Sequence, residues 1–240
     1  MSPPSDNQSL PDGLSVIVPA LNEQEYIAGA ISNISGALEG FDASWEIILV
    51  DDGSVDDTGR IMDEASRDNP RIRVIHNQKN QGFGGAFLKG LDQATLGSCV
   101  MVPGDDSFDA DSLRSLFSRR GRASVVIPYF TNTESRPMLR RAISRSYTFM
   151  MNAFFGYGLP YYNGPVIYPT RAVRDLMVPC SGFGYQAEIV IRLLRSGLDF
   201  ECVGMRLCER KRAGSHALKL RNFIDISRCL VRLWFHEHRI

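Results

Sequence analysis

A chain of 240 residues fits one large domain or two small ones and can bury a real core. Its 27 Lys and Arg balance 27 Asp and Glu overall, yet residues 1–120 carry 9 basic against 19 acidic side chains and residues 121–240 carry 18 against 8. An acidic half suited to a metal therefore meets a basic half suited to phosphates or an anionic surface, and no apolar run approaches the ~20 residues that span a bilayer. The five cysteines are odd in number and lack metal-ligand spacing, so they read as reduced thiols of a cytosolic protein.

Residues 1–13 are polar and proline-rich, without a basic-then-apolar leader pattern, and read as a loose tail. Leu14 to Pro19 is a first buried strand ended by proline, with Ala20-Leu21-Asn22-Glu23 as its loop and a helix from about Gln24 to Leu38. Trp45 to Val50 is a second strand that ends in Asp51-Asp52-Gly53-Ser54; Asp56 or Asp57 caps the helix that follows, to about Asp68. Ile72 to Ile75 makes a third strand. Asn80 to Ala86 is a glycine-rich turn into a helix ending near Gly97. That turn lacks the third glycine of the dinucleotide fingerprint and follows the wrong strand for it, so it also reads as close packing of helix on sheet.

Cys99 to Val102 is a fourth short apolar strand, stopped by Pro103-Gly104. Asp105, Asp106 and Asp109 come directly after it. Carboxylates at the carboxyl end of a parallel strand sit where open α/β sheets bind ligands, and hard oxygen donors there suit Mg²⁺ or Mn²⁺ on a diphosphate. By itself the same turn also describes a solvated cap for the next helix. Strands alternating with helices imply a doubly wound, mostly parallel sheet.

Past residue 120 the regularity fades. Val125 to Ile127 is a further strand, and residues 136–145 are basic through Arg136, Arg140, Arg141 and Arg145. Residues 146–170 carry no charge and are crowded with aromatics, which fits a segment at a membrane surface, a greasy acceptor groove, or a helix closing the core. Gly182 to Glu188 opens a helix through Leu194, and Phe200 to Leu207 reads as a strand. A basic turn, Glu209 to His216, precedes a C-terminal amphipathic helix over 217–240, whose apolar face can meet an anionic bilayer, the chain's own core or a second copy.

Four pieces in order resemble the family 2 glycosyltransferases and their nucleotide-sugar-binding GT-A fold. They are Val16 to Glu23, Ile47 to Ser54, Asn80-Gln81-Gly82 with Ala86 and Gly90, and Pro103 to Asp106. The match spans roughly residues 14–216 and is most similar to the branch that loads a sugar onto a polyprenyl or dolichyl phosphate. That finer likeness rests on the arginine-rich aromatic segment and the basic turn Arg210 to His216.

The resemblance implies a single Rossmann-like α/β domain over 14–216 with the C-terminal helix appended. It implies that Pro19, Ala20, Asn22, Glu23, Asp51, Asp52, Gly53 and Gly82 hold the nucleotide, with one aspartate accepting from the base and its neighbour near the ribose. It implies that Asp105, with Asp106, holds Mg²⁺ or Mn²⁺ across the diphosphate, and that Arg210, Lys211 and Arg212 close over the phosphates. The family pattern is Asp-x-Asp, whereas here Pro103 stands in place of the first aspartate; either Asp106 substitutes for it or metal dependence is weaker, and Asp105 is the expected direct ligand.

The expected activity is inverting transfer of a hexose from UDP or GDP to an acceptor, by one in-line displacement. A lipid phosphate acceptor is already ionised and needs cations, for which Arg136, Arg140, Arg141 and Arg145 are the candidates. An alcohol acceptor would need a base, and Glu188 leads. The alternatives are a soluble transferase acting on a saccharide hydroxyl and a nucleotide-sugar binder without turnover. The expected setting is the cytosol, at the cytosolic face of a membrane, and a nucleic-acid partner is not expected.

Overall fold

The computed structural model describes residues 10–176 and 184–208. The expected C-terminal helix, Arg210, Lys211 and Arg212, and most of the N-terminal tail lie outside the described residues. Seven strands are β1 (Gly13–Ala20), β2 (Ser44–Asp51), β3 (Ile72–His76), β4 (Ser98–Met101), β5 (Val125–Phe130), β6 (Ile167–Pro169) and β7 (Phe200–Met205). Seven α-helices are α1 (Ile27–Leu38), α2 (Thr58–Asp68), α3 (Gly82–Gln93), α4 (Ala110–Phe117), α5 (Met138–Phe155), α6 (Thr170–Asp175) and α7 (Tyr185–Arg195). They form one sheet in the order β3-β2-β1-β4-β6-β5-β7, parallel throughout except that β6 runs against β4 and β5.

All eight residues of β1 are buried, as are the last six of β2, which is why both read as unbroken apolar runs. Their side chains alternate between two core layers. Val16, Val18, Ile47 and Leu49 meet Ile34 of α1 and Phe117 of α4, while Ile17, Ile48 and Val50 meet Phe87 of α3 and Ile189 of α7. The closest contact is at Gly90: a Cβ there would lie 2.3 Å from Ile17 Cγ2, so α3 approaches the sheet on a residue without a side chain.

Two helix boundaries and one strand differ from the sequence expectation. α1 begins at Ile27 because the Glu23 and Gln24 N–H groups donate to Thr58 Oγ1 at the start of α2 (2.7 Å) and to Asp56 Oδ2 in the loop before it (3.3 Å). α3 ends at Gln93, short of Gly97, because Glu46 Oε1 captures the Thr95 N–H (2.6 Å), while Arg174 binds the carbonyls of Leu91 and Asp92. The antiparallel β6 was not expected, since three residues carry no readable period.

Arg140, Arg141, Arg145 and the first aromatics share one element, whereas Arg136 precedes it and Tyr157, Tyr161 and Tyr162 follow it. α5 is a continuous 18-residue helix ended by Gly156 in the left-handed region (φ 76°). Met151 is the one residue in it classed as buried, and Met138, Leu139, Phe149 and Phe154 are all more than half exposed. Among the described residues no helix is long and apolar enough to cross a membrane, and Cys99, Cys202 and Cys208 are free thiols.

Candidate active site

The strand order reverses at β1, with β2 on one side and β4 on the other, and a ligand crevice is expected beyond their carboxyl ends. A cavity of about 270 Å³ lies there. Pro19, Ala20, Leu21 and Glu23 after β1 and Asp52 after β2 form one side. Asn80, Gly82, Phe83 and Ala86 at the start of α3 form another, and Pro103, Gly104 and Asp105 after β4 close it. Of the nucleotide-binding candidates, the structure thus brings Pro19, Ala20, Glu23, Asp52 and Gly82 into the cavity lining, together with Asp105.

Asn22, Asp51 and Gly53 lie behind this lining and shape it. Asn22, at φ 53°, donates its N–H to Ser54 Oγ (3.0 Å) and accepts from the Val55 N–H (2.9 Å), so it ties the first loop to the second. Asp51 accepts from the Ser54 N–H (2.9 Å) and faces His76 Nδ1 (3.0 Å). Burial pushes its carboxyl up, but the bonds from Ser54 and His76 outweigh that and hold it below the usual range. Gly53, at φ 79°, leaves room for the Lys79–Asn80 backbone, which a Cβ would meet at 3.1 Å.

Asp52 is buried and accepts from Asn77 Nδ2 (2.8 Å) and from the N–H groups of Gln81 (2.8 Å) and Gly82 (2.9 Å). It therefore fixes the first turn of α3 against the cavity. Gly82 is needed for its positive φ of 77°, since a Cβ there would meet nothing within 4 Å. The glycine turn is in this respect a backbone device.

The acid turn divides its two aspartates. Asp105 lines the cavity and accepts from Ser107 Oγ (2.6 Å). Asp106, at φ 55°, is turned onto α1, where Asn33 Nδ2 donates to Oδ1 (2.8 Å) and a Cβ on Gly29 would come within 2.9 Å of Oδ2. Asp106 is absent from the cavity lining, so of the two proposed metal ligands the structure brings Asp105 alone to it. Gly104 packs so closely that a Cβ would meet Ala20 and Ile27 at 2.8 Å, and its N–H continues the ladder to Pro19 O (3.0 Å). The described residues hold no cluster of three or more metal-ligating side chains. One carboxylate fits a hard cation whose remaining oxygens come from ligand phosphates and water.

A chain of aromatics leads from this turn to the basic helix. Phe108 stacks on Phe130 (6.0 Å between centroids), Phe130 meets Tyr161 edge-on (5.0 Å), and the Arg136 guanidinium lies over Phe130 (5.1 Å). Arg140, four residues on, is exposed. Partial burial and the like charge of Arg136 lower its pKa, and Tyr161 and Asp105 act the other way. Arg140 is thus close enough to Asp105 and to Arg136 to feel the charge of both, although neither arginine is part of the cavity lining. Arg141 and the exposed Arg145 follow farther along α5.

Glu188, the candidate base, is fully buried in α7 and paired with Arg192 Nη2 (2.6 Å); it is not part of the lining. Sequence reasoning missed Asn33, His76, Asn77 and Phe83. The first three act on loops distant in sequence, whereas Phe83 had a readable signal, an aromatic flanked by glycines and 46% exposed at the cavity.

Comparison with known proteins agrees with this architecture. The profile described as Glycosyl transferase family 2 matches residues 15–177. An undecaprenyl-phosphate 4-deoxy-4-formamido-L-arabinose transferase of Salmonella paratyphi A is 24% identical over 169 residues, 70% of this chain and 51% of its own length. A dodecaprenyl-phosphate galacturonate synthase of Rhizobium johnstonii is 26% identical over 152 residues, 62% of this chain and 45% of its own. The chain thus spans about half the length of the curated relatives it matches. Among solved structures, the glucosyl-3-phosphoglycerate synthase of Mycobacterium tuberculosis with UDP superposes at TM-score 0.70 with 19% identity, covering 92% of this chain and 79% of that one. The same enzyme with Mn²⁺, UDP and glucosyl-3-phosphoglycerate gives 0.66 with 20% identity, covering 94% and 79%. The fold is of the GT-A type, and the chain belongs to glycosyl transferase family 2.

Proposed function

We propose that this protein transfers a sugar from a UDP-sugar to a polyprenyl phosphate at a membrane surface, with inversion at the anomeric carbon. The observation that carries the reading is that Arg140 feels the charge of Asp105 in the cavity lining and of Arg136 beside it, so cations lie near the acid turn. The nucleoside would lie along the Pro19–Glu23 and Asp52 wall, with its diphosphate toward Asp105. A divalent cation held by Asp105 would neutralise charge gathering on the departing diphosphate. Arg136 and Arg140 would face the acceptor phosphate, which is ionised at neutral pH and attacks without giving up a proton to a base. The buried Glu188–Arg192 pair supports that reading, because a carboxylate so engaged is poorly placed to take a proton from an alcohol.

Two further observations support the acceptor and the setting. The curated relatives are named for undecaprenyl and dodecaprenyl phosphates. The exposed Met138, Leu139, Phe149 and Phe154 of α5 give a polyprenyl tail or a lipid surface an apolar face beside the arginines. The test is acceptor kinetics. Arg140→Ala should raise the acceptor KM roughly tenfold or more, at 1.4 kcal/mol per decade, and leave UDP affinity unchanged. Equal loss of UDP affinity would place Arg140 on the donor side instead.

A further inference from the structure

Outside the cavity lining, an imidazole stands between two carboxylates. His76 closes β3 directly opposite Asp51 at the end of β2. Its Nδ1 lies 3.0 Å from Asp51 Oδ2, and its Nε2 lies 3.0 Å from Asp63 Oδ1 on α2. Ionised carboxylates only accept, so a ring that satisfies both must donate from both nitrogens, which is the imidazolium form. α2 is packed against the pair: a Cβ on Gly59 would fall 2.8 Å from Asp51 Oδ2 and 3.3 Å from His76 Cε1. None of His76, Asp51 and Asp63 lines the cavity, so direct contact with a ligand does not account for the arrangement.

What the three residues do reach is the frame of the wall. Asp51 holds the Ser54 N–H, and Ser54 Oγ accepts from Asn22. Asn77, next to His76, donates its N–H to Asp51 O (2.8 Å) and its side chain to Asp52. Asp52 in turn fixes the Gln81–Gly82 turn. From this we infer that His76 is a positioning residue of the donor site: its doubly donating ring ties the ends of β2 and β3 to α2 and thereby holds Asp52 and the α3 turn in place for the nucleotide. The inference rests on the reading of the cavity as a nucleoside diphosphate site.

The charged groups acting on the ring are Asp51 from β2 and Asp63 from α2. The bond to Asp51 raises the His76 pKa above its usual value, burial works against that, and Asp63 adds to the rise. A raised folded-state pKa means that the tie is complete below the unfolded value of about 6.5 and is lost as pH climbs through the folded value. Nucleotide affinity should therefore fall on the alkaline side of neutrality through KM, with kcat unmoved.

The experiment is calorimetric binding of UDP, without metal, from pH 6.5 to 8.5, where a terminal phosphate with second pKa of about 6 has largely finished titrating. Wild-type affinity should drop about fivefold, a modest figure because His76 is half exposed and its charge-assisted bonds are screened. His76→Gln should give a flat profile at the weaker level. Asp63→Asn keeps the ring but removes one carboxylate, and should move the fall to lower pH. In transfer assays His76→Gln should raise the donor KM alone. Parallel pH profiles for wild type and His76→Gln, an unmoved fall in Asp63→Asn, or a loss in kcat with KM unchanged would each overturn the inference while leaving the donor reading intact. Failure of UDP to bind the wild type at every pH would overturn the donor reading, and this one with it.

Discussion

Asp105 and Asp106 are chemically identical neighbours that one backbone angle sends to different places. The left-handed φ at Asp106 and the bond from Asn33 commit it to α1, leaving Asp105 at the cavity. Asp105→Asn should therefore lower kcat/KM at saturating Mn²⁺ by at least about a hundredfold, from loss of a several-kcal/mol charge stabilisation, with an unchanged melting temperature. Asp106→Asn, in a residue type that tolerates this φ, should keep most of its activity. The reverse ranking would make Asp106 the ligand. Asp52→Ala strips the acceptor from Asn77, Gln81 and Gly82 together, so UDP affinity should fall roughly tenfold with or without metal, measured by calorimetry. The acid turn stands out in the sequence as a candidate site only in company with the three motifs before it, because by itself an apolar run stopped by Pro-Gly and followed by carboxylates also describes a solvated helix cap. The sequence favours Asp105 as the direct ligand but carries no sign that Asp106 turns away, since the partner that holds Asp106 is 73 residues distant. The same holds for His76, whose carboxylates are 25 and 13 residues distant.

Legibility of the elements followed burial. β1 and β2 are covered on both faces and announce themselves as apolar runs, and α4 begins where Asp109 caps it through the Ser112 N–H (2.7 Å). α3 was legible in its start but not its end, which Glu46 and Arg174 set from other elements. α5 was readable as basic and then aromatic, but not as one exposed helix, because its Met138, Leu139, Phe149 and Phe154 look like core residues in sequence. Gly90→Ala tests the close approach of α3. With a Cβ 2.3 Å from Ile17 Cγ2, it should cost on the order of 1–3 kcal/mol by urea unfolding, as overpacking does. An unchanged midpoint would mean that α3 sits farther from the sheet.

At the scale of the whole molecule, stability and chemistry are anchored at opposite ends of the sheet. Glu46 is in the first half of β2, opposite Ser15 of β1, and accepts from Ser15 Oγ, Thr95 and Arg73. Burial pushes its carboxyl up, but those donors together bring it below its usual range. Its contribution is thus present above about pH 4.5 and lost as pH falls through the lower folded value. Glu46→Gln should cost about 1–3 kcal/mol at neutral pH in urea titration and leave UDP affinity unchanged, whereas a matching loss of affinity would mean the two ends are coupled.

Transfer to a lipid phosphate is tested directly by product partition. The purified chain is incubated with radiolabelled UDP-hexoses, Mn²⁺ and a detergent-dispersed polyprenyl phosphate, and the mixture is then extracted into organic solvent. Label is expected in the organic phase, dependent on the lipid's phosphate, absent with the corresponding polyprenyl alcohol and lost with Asp105→Asn. Label that stays in the aqueous phase, appearing only when a saccharide acceptor replaces the lipid, would contradict transfer to a lipid phosphate.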